Sequence, residues 1–372
     1  MCAHAALTYG AAFNTKDSDF NVFWDYLNKH SGGIYGRKVT ATYENDNYTP
    51  DDAVTAAKAC QAKNPFALLG GIGFDQIPAV REWAEQNKEL YVYHIATRNG
   101  RAGKQYSFTA LPDVESFGER FAELAAAKFP GKKIGILWRH SPQWEPGVTA
   151  FLKRAKQLGV QVAASYYVEK NAGSYTVELT NLRNAGAEVV WAWENALADV
   201  QIVEQAAGQG WHPAWMVFPF NLTTQTIKDA ATAAPMYGIA AWPAYSNGQY
   251  DGPFAPYAAD IKEFEKEYAE LDPGADLKGL GGDLLFLNWV AQKGLARLFE
   301  LCGKDCTRNH FATILSRYKG SESPGCALDF PKNGGHYGGD AVNVSVAYHS
   351  ANGNYDWKPV SLCQTTITRA AV

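Results

Sequence analysis

The sequence has no apolar run approaching the roughly 18 residues that a membrane-crossing helix requires, so it carries no such span. It also lacks a basic excess: 34 Lys and Arg stand against 38 Asp and Glu, for a net charge of −4. That balance argues against nucleic acid as a partner. No G-x-S-x-G, H-E-x-x-H or Walker loop is present. Eight histidines are scattered, and the one suggestive pair, His140 beside Ser141, is adjacent in sequence, where base and nucleophile rarely act together. His140 therefore reads as a polar cleft or surface group, and the chain as a non-enzyme. Gly71-Ile72-Gly73 falls short of a dinucleotide loop, because Gln76 stands where the third glycine belongs and the loop follows a third strand. No cofactor is expected.

The six cysteines form no C-x-x-C, and no His pair at zinc spacing accompanies them, so no metal is expected. An even count without metal spacing fits disulfides and an oxidising compartment. Buried free thiols in a cytosolic protein are the alternative. The chain enters its first strand within a few residues of Met1 and shows no signal peptide, which reads as a mature form with its export signal removed.

What is present is apolar material in regular alternation. At 372 residues, 47% hydrophobic and 19% charged, the chain is too long for one ordinary domain and suits two lobes. Strands are predicted at Ala5 to Ala12, Val39 to Tyr43, Phe66 to Gly70 and Leu90 to Ile95. Helices separate them at Phe20 to Lys29, from Pro50 onward, and at Asp75 to Asn87. The second of these opens with a capping Thr49, Pro50 in the first turn, and Asp51 and Asp52 against the dipole. The pattern then restarts. Strands at Lys133 to Trp138, Val160 to Val168, Val189 to Trp193, Trp215 to Phe218 and Tyr237 to Ala241 alternate with helices at Val114 to Phe129, Pro146 to Leu158, Tyr175 to Asn184 and Ala198 to Gly208. This repeated βαβα order predicts an α/β protein of two doubly wound parallel-sheet lobes. Beyond residue 250 come helices at Phe254 to Leu271, Asp283 to Cys302 and Asn309 to Tyr318, then short strands ending in Trp357 to Ile367. Helices arriving so late must pack on a sheet already built, so the chain crosses between lobes more than once.

In open parallel sheets, ligands sit beyond the carboxyl ends of the strands. In the first half those ends carry Phe13 and Asn14, the glycine loop ending in Gly73 and Phe74, and Thr97 with Arg98. The second half offers Arg139 to Trp144, Trp193-Glu194-Asn195 and Pro219-Phe220-Asn221. Phe74, Trp144, Trp193 and Phe220 lie on four independent loops, which predicts a stacking cleft between facing lobes. The competing reading makes each ring ordinary lobe core.

Five segments point to a family: Gly32-Gly33-Ile34-Tyr35-Gly36-Arg37-Lys38-Val39, Tyr43-Glu44-Asn45-Asp46-Asn47, the helix Pro50 to Lys63, Gly131 to Leu137, and Leu182 to Val190. Through them the sequence resembles the type I periplasmic binding proteins, specifically the branched-chain amino-acid (Leu/Ile/Val) binding family of ABC importers. The resemblance runs in order along essentially the whole chain. It implies two lobes, residues 1–112 with 246–328 and residues 113–245 with 329–372. Three crossovers join them, near Leu111 to Val114, Ala241 to Tyr245 and Leu328 to Pro331. It also implies hinge closure on a small-molecule ligand, docking of a monomer onto an ABC permease in the membrane, and a periplasmic or extracellular location. Family members hold a ligand carboxylate on loops matching Gly71 to Phe74 and Ala96 to Arg98, with an aromatic residue at the position of Trp144 and another falling at Trp193.

The sequence departs from that pattern in three places. Gly71-Ile72-Gly73-Phe74-Asp75 has no hydroxyl, Pro219-Phe220 offers no carboxylate to an α-ammonium group, and Trp144 replaces a tyrosine. A buried ammonium group without a carboxylate partner is strongly unfavourable. The expected ligand is therefore an aromatic or otherwise flat organic acid. It would stack on Trp144, Trp193 and Phe74 and pair with Arg98, Arg101 or Arg139. Glu194 keeps an amino-acid ligand open, and a sensory module of the same fold is a further reading.

The implied fold also bears on the cysteines. Its helix after the second strand runs antiparallel to the sheet and over the first strand, which brings Cys60 to Cys2. Bridges Cys2–Cys60, Cys302–Cys306 and Cys326–Cys363 are expected. A lipidated Cys2 is the competing reading, and no flexible tether follows it.

Overall fold

The computed structural model describes residues 1–8, 17–70, 74–93, 97–98, 104–170, 172–194, 196–218, 224–278, 280–321, 324–350, 353 and 355–372. The first unit comprises β1 (Cys2–Ala5), α1 (Asp17–Ser31), β2 (Thr42–Asn45), α2 (Pro50–Ala62), β3 (Leu68–Leu69), α3 (Ile77–Asn87), β4 (Tyr91–Tyr93) and β5 (Ser107–Thr109). Its five strands are all parallel, in the order β2-β1-β3-β4-β5. The second unit follows with α4 (Val114–Lys128), β6 (Lys133–Arg139), α5 (Glu145–Leu158), β7 (Gln161–Val168), α6 (Thr176–Asn184), β8 (Val189–Trp193), α7 (Ala196–Gly208), β9 (Ala214–Val217), α8 (Thr224–Ala233) and β10 (Met236–Ala240). Its strands run β7-β6-β8-β9-β10, the same winding repeated. Two doubly wound α/β halves, each open at the carboxyl ends of its strands, are therefore present as expected.

The remaining elements return to both halves. A 3₁₀ turn at Gly252–Tyr257 leads into α9 (Ala258–Leu271) and α10 (Leu280–Cys302), which pack on α1. Next come α11 (Arg308–Arg317), β11 (Lys319–Gly320) and β12 (Leu328–Asp329), the last two pairing with each other. Residues 336–338 still bond to β5, where Thr109 N–H donates to His336 O and Gly338 N–H to Thr109 O. Finally β13 (Val342–His349) joins β10 antiparallel, and β14 (Tyr355–Gln364) pairs with β13. The chain thus passes between the sheets three times.

Local chemistry explains several boundaries. Thr49 Oγ1 accepts from Asp52 N–H at 3.2 Å and caps α2 as its sequence predicts. Asp113 caps α4, accepting from Ser116 N–H at 2.7 Å. Strand β8 is buried along its whole length, as expected for a central parallel strand covered on both faces. Where α4 crosses α5, Gly118 faces Gly147: a Cβ on Gly118 would stand 1.9 Å from Gly147 O. A Cβ on Gly147 would in turn stand 2.9 Å from the Trp193 ring, so the two glycines let the helices close up behind that indole.

Some elements lie elsewhere than the pattern places them. β1 occupies Cys2–Ala5, earlier than the expected Ala5 to Ala12, whose residues 9–12 lie outside the described residues. The three-residue β5 and the Thr- and Ala-rich α8 have no apolar periodicity long enough to announce them. All three expected disulfides are present, with Cα–Cα distances of 5.5 Å for Cys2–Cys60 and 5.3 Å for both Cys302–Cys306 and Cys326–Cys363. Cys2 is therefore bonded to Cys60 and holds no free thiol for a lipid. No helix among the described residues is long and apolar enough to cross a membrane.

Candidate functional site

The carboxyl ends of the two sheets meet in a seam, and one ring crosses it. Phe74, from the link between β3 and α3, lies 4.4 Å from the Trp144 ring, 5.9 Å from Trp193 and 6.1 Å from Phe218, centroid to centroid. Those three residues belong to the other half, at the start of α5, the end of β8 and just past β9. Phe117 of α4 stands behind them, 5.2 Å from Phe218. Trp193 Nε1 donates to Trp144 O at 2.9 Å, which fixes the indole's orientation. Trp144 is 2% exposed, and its own Nε1 is a buried donor without an acceptor. Each such ring pair contributes about 0.5–1.5 kcal/mol beyond its buried area.

Beside the rings runs a layer of charge. Arg139, at the end of β6, forms a two-pronged pair with Glu194, Nε to Oε1 at 2.9 Å and Nη2 to Oε2 at 2.9 Å. Its Nη1 reaches across the seam to Asp75 Oδ2 at 3.1 Å, and Ser141 Oγ donates to Asp75 Oδ1 at 2.8 Å. The guanidinium also lies over the rings of Tyr48 (5.2 Å) and Trp144 (5.3 Å). Burial opposes the arginine's charge, but Tyr48, Glu194 and Asp75 together hold its pKa above the ordinary value. Lys170, which follows β7, donates across the seam to Tyr48 O and sits 4.9 Å above the Tyr48 ring. Burial first, then the neighbouring Arg139, pushes its pKa down. Behind Tyr48, buried Asp46 accepts from Tyr48 N–H at 2.9 Å and pairs with His4 Nδ1 at 2.8 Å, while His4 Nε2 meets Tyr91 Oη at 2.7 Å.

Among the residues singled out from the sequence, Phe74, Trp144, Trp193 and Glu194 come together here. Arg98 does not join them. Its guanidinium bonds Asp113 (3.1 and 3.3 Å), Glu119 (3.2 Å) and Ser116 (3.2 Å), and its backbone N–H donates to Glu115 at 2.7 Å. Despite the burial penalty, those carboxylates keep its pKa raised, and the side chain ties the first half to the start of α4. Thr97 is half-buried beside it. Phe13, Asn14, Gly73, Asn195, Phe220 and the alternative Arg101 lie outside the described residues. His140 is exposed and pairs with Glu169 at 3.0 Å.

Sequence reasoning missed Tyr48, Asp75, Lys170 and Phe218. Asp75 and Phe218 each adjoin a named loop and could have been taken with it. Tyr48 gives a weaker signal: the Asn47-Tyr48 step takes the left-handed backbone, at φ 46° and 58°, which turns the chain sharply at the end of β2. Among the described residues no His, Cys, Asp and Glu cluster is arranged to hold a metal ion.

Comparison with known proteins fits this geometry. A family model described as periplasmic binding protein matches residues 11–347. A substrate-binding periplasmic protein from Ralstonia solanacearum superposes with a TM-score of 0.78 at 16% identity, covering 96% of this chain and 99% of that one. A branched-chain amino-acid ABC transporter protein from Thermus thermophilus with bound valine gives 0.76 at 15% identity, covering 98% and 96%. A solute-binding protein of an ABC transporter from Rhodopseudomonas palustris BisB5, in complex with 3,4-dihydroxybenzoic acid, gives 0.75 at 14% identity, covering 98% and 97%. No curated protein matches the sequence. The chain belongs to the periplasmic binding protein family.

Proposed function

We propose that this periplasmic binding protein is the extracytoplasmic receptor of an ABC importer and closes its two lobes on a flat organic acid. The expected boundary at residue 328 shifts, because residues 336–338 bond to Thr109 of the first sheet: the lobes are residues 1–112 with 246–338 and residues 113–245 with 339–372. The observation that carries the reading is the box formed by Trp144, Trp193 and Phe218 around a ring from the opposite lobe. A ligand ring stacks on Trp144 and Trp193 in the place Phe74 takes, and the buried Trp144 Nε1 donates to an acceptor on it. The ligand carboxylate meets Lys170, since Arg98 is engaged by Asp113 and Glu119 and Arg139 by Glu194 and Asp75. Binding and release leave the ligand chemically unchanged. The monomer then presents its closed form to the permease. Three disulfides fit an oxidising compartment outside the cytoplasm.

One observation favours a second reading, an α-amino acid. The seam carboxylates Asp75 and Glu194, with Asp46 behind Tyr48, suit a ligand ammonium group. Titration of tryptophan fluorescence separates the two. Hydroxybenzoates and similar flat acids are expected to change the signal saturably at micromolar concentration, whereas a response to leucine-like ligands alone defeats the flat-acid reading.

A further inference from the structure

We infer that the first lobe holds a second binding site, separate from the seam: a partly open apolar cavity that takes a neutral molecule of phenol size. The cavity, about 190 Å³, lies between α10 and the face of the first sheet that α10 covers. Its origin is in the sequence. Inner strand β1 turns Ala3 and Ala5 toward α10, while Cys2 bonds to α2 and His4 meets Asp46 on the other side. Helix α10 answers with Ala291 and Gly294, and a Cβ built on Gly294 would meet nothing within 4 Å. Small residues thus oppose small residues at the centre of a layer whose larger chains, such as Leu69, Phe108 and Leu295, only rim the gap. A further wall comes from the three passages between sheets, through Leu111, Trp242 and Ala341. Phe74, Trp144 and Arg139 take no part in it.

The chemistry of the walls selects the occupant. No charged side chain lines the cavity among the described residues, so an ion would lose its hydration without compensation. A cavity of about 150 Å³ lined by Leu, Ile and Phe stays dry and binds benzene, so this one has room for a single six-membered ring. Asn288 and Gln292 mark one polar edge. Both donate to Phe20 O, at 3.0 and 2.5 Å, while Gln292 Oε1 is buried without a donor. One hydroxyl on the occupant would satisfy that oxygen.

Calorimetric titration of the full chain with phenol, benzene and benzoate tests the site. Phenol is expected to bind saturably and more tightly than benzene, with benzoate failing to displace it. Ala5→Leu, or Ala291→Leu where the first variant folds poorly, fills the gap with apolar volume. Either should lower phenol affinity at least about tenfold while the ligand-free melting temperature holds or rises. Gln292→Met should remove the preference for phenol over benzene. Absence of saturable phenol binding overturns the inference. So does binding that survives both cavity-filling variants and is altered by Phe74→Ala, which places phenol in the seam instead.

Discussion

Under the proposed closure of the lobes, Asp75→Asn isolates its electrostatic part. The carboxylate is 13% exposed at the side chain and accepts from Arg139 at 3.1 Å and from Ser141 at 2.8 Å, so it works where water screens poorly. Asparagine keeps the shape and one acceptor oxygen but loses the charge. A charge-assisted hydrogen bond at such a site contributes about 1.5–3 kcal/mol, and each 1.4 kcal/mol is a factor of about ten. The open-to-closed ratio should therefore rise roughly tenfold to a hundredfold. Folding should be nearly untouched, because Arg139 keeps its hydrogen bond and ion pair with the fully buried Glu194. Arg139→Met is the contrast: it removes the cation paired with buried Glu194 and should cost about 3–5 kcal/mol of global stability. Hydrogen exchange followed by mass spectrometry reads both effects. In Asp75→Asn the seam segments 46–49 and 140–147 should exchange faster by the factor above while strands β6 and β8 keep their protection. Unchanged exchange in the seam segments would refute the assignment of this ion pair to closure.

Three further outcomes test other parts of the structure. Gly118→Ala forces a methyl to within 1.9 Å of Gly147 O, so α4 and α5 must separate; thermal unfolding should show a loss of several kcal/mol, about 2–4. Removing the Cys2–Cys60 bridge with Cys2→Ala and Cys60→Ala frees a loop of 58 residues, for an expected loss of about 4 kcal/mol in denaturant melts. Burial raises Glu267 to about 7 and Asp356 to about 6, so between pH 4 and 7 the folded chain binds more protons than the unfolded one. Stability conferred by these groups is thus full below pH 4 and lost as pH rises to 7. Glu267→Gln keeps an acceptor for Trp289 Nε1 and should flatten the fall by up to about 3 kcal/mol in pH-dependent urea titrations.

The architecture was legible because each signal in it is local and repeated. The Thr49-Pro50 cap, the apolar strand cores and the second round of βα units each state their conformation within a dozen residues, and they agree. The cysteine pairings needed one more step, the path of α2 over β1, which the family resemblance supplied. Arg98 shows where reading by loop position stops. It does stand at a strand end, yet Asp113, Ser116 and Glu119, 15 to 21 residues later, enclose it on the first turns of α4. Their i, i+3, i+6 spacing was available, but nothing local says that this helix face turns back toward residue 98. The same holds for Lys170 and Tyr48, whose contact joins residues 122 apart. Contacts between lobes are set by how two finished units meet, and periodicity within either one does not encode that.

Phe74 allows the ligand question to be sharpened. Its ring already makes three contacts in the box of Trp144, Trp193 and Phe218, so an entering ring replaces one set of aromatic contacts with another of similar worth. Burial of apolar area then cancels to first order, and under the proposed reading net affinity comes from polar groups that Phe74 cannot satisfy: the Trp144 Nε1 donor and the Lys170 cation. Phe74→Ala removes the competitor. If the ring of Phe74 must leave, the 1.5–3 kcal/mol released by burying such a side chain no longer opposes binding, and affinity for a flat acid should rise roughly tenfold or more. If Phe74 instead stays and stacks on the ligand, the substitution deletes a ring pair of about 0.5–1.5 kcal/mol and affinity falls two- to tenfold. The three-sided contact favours exchange, so a fall in affinity, measured by fluorescence with the wild type alongside, would show that the box is larger than its present occupant.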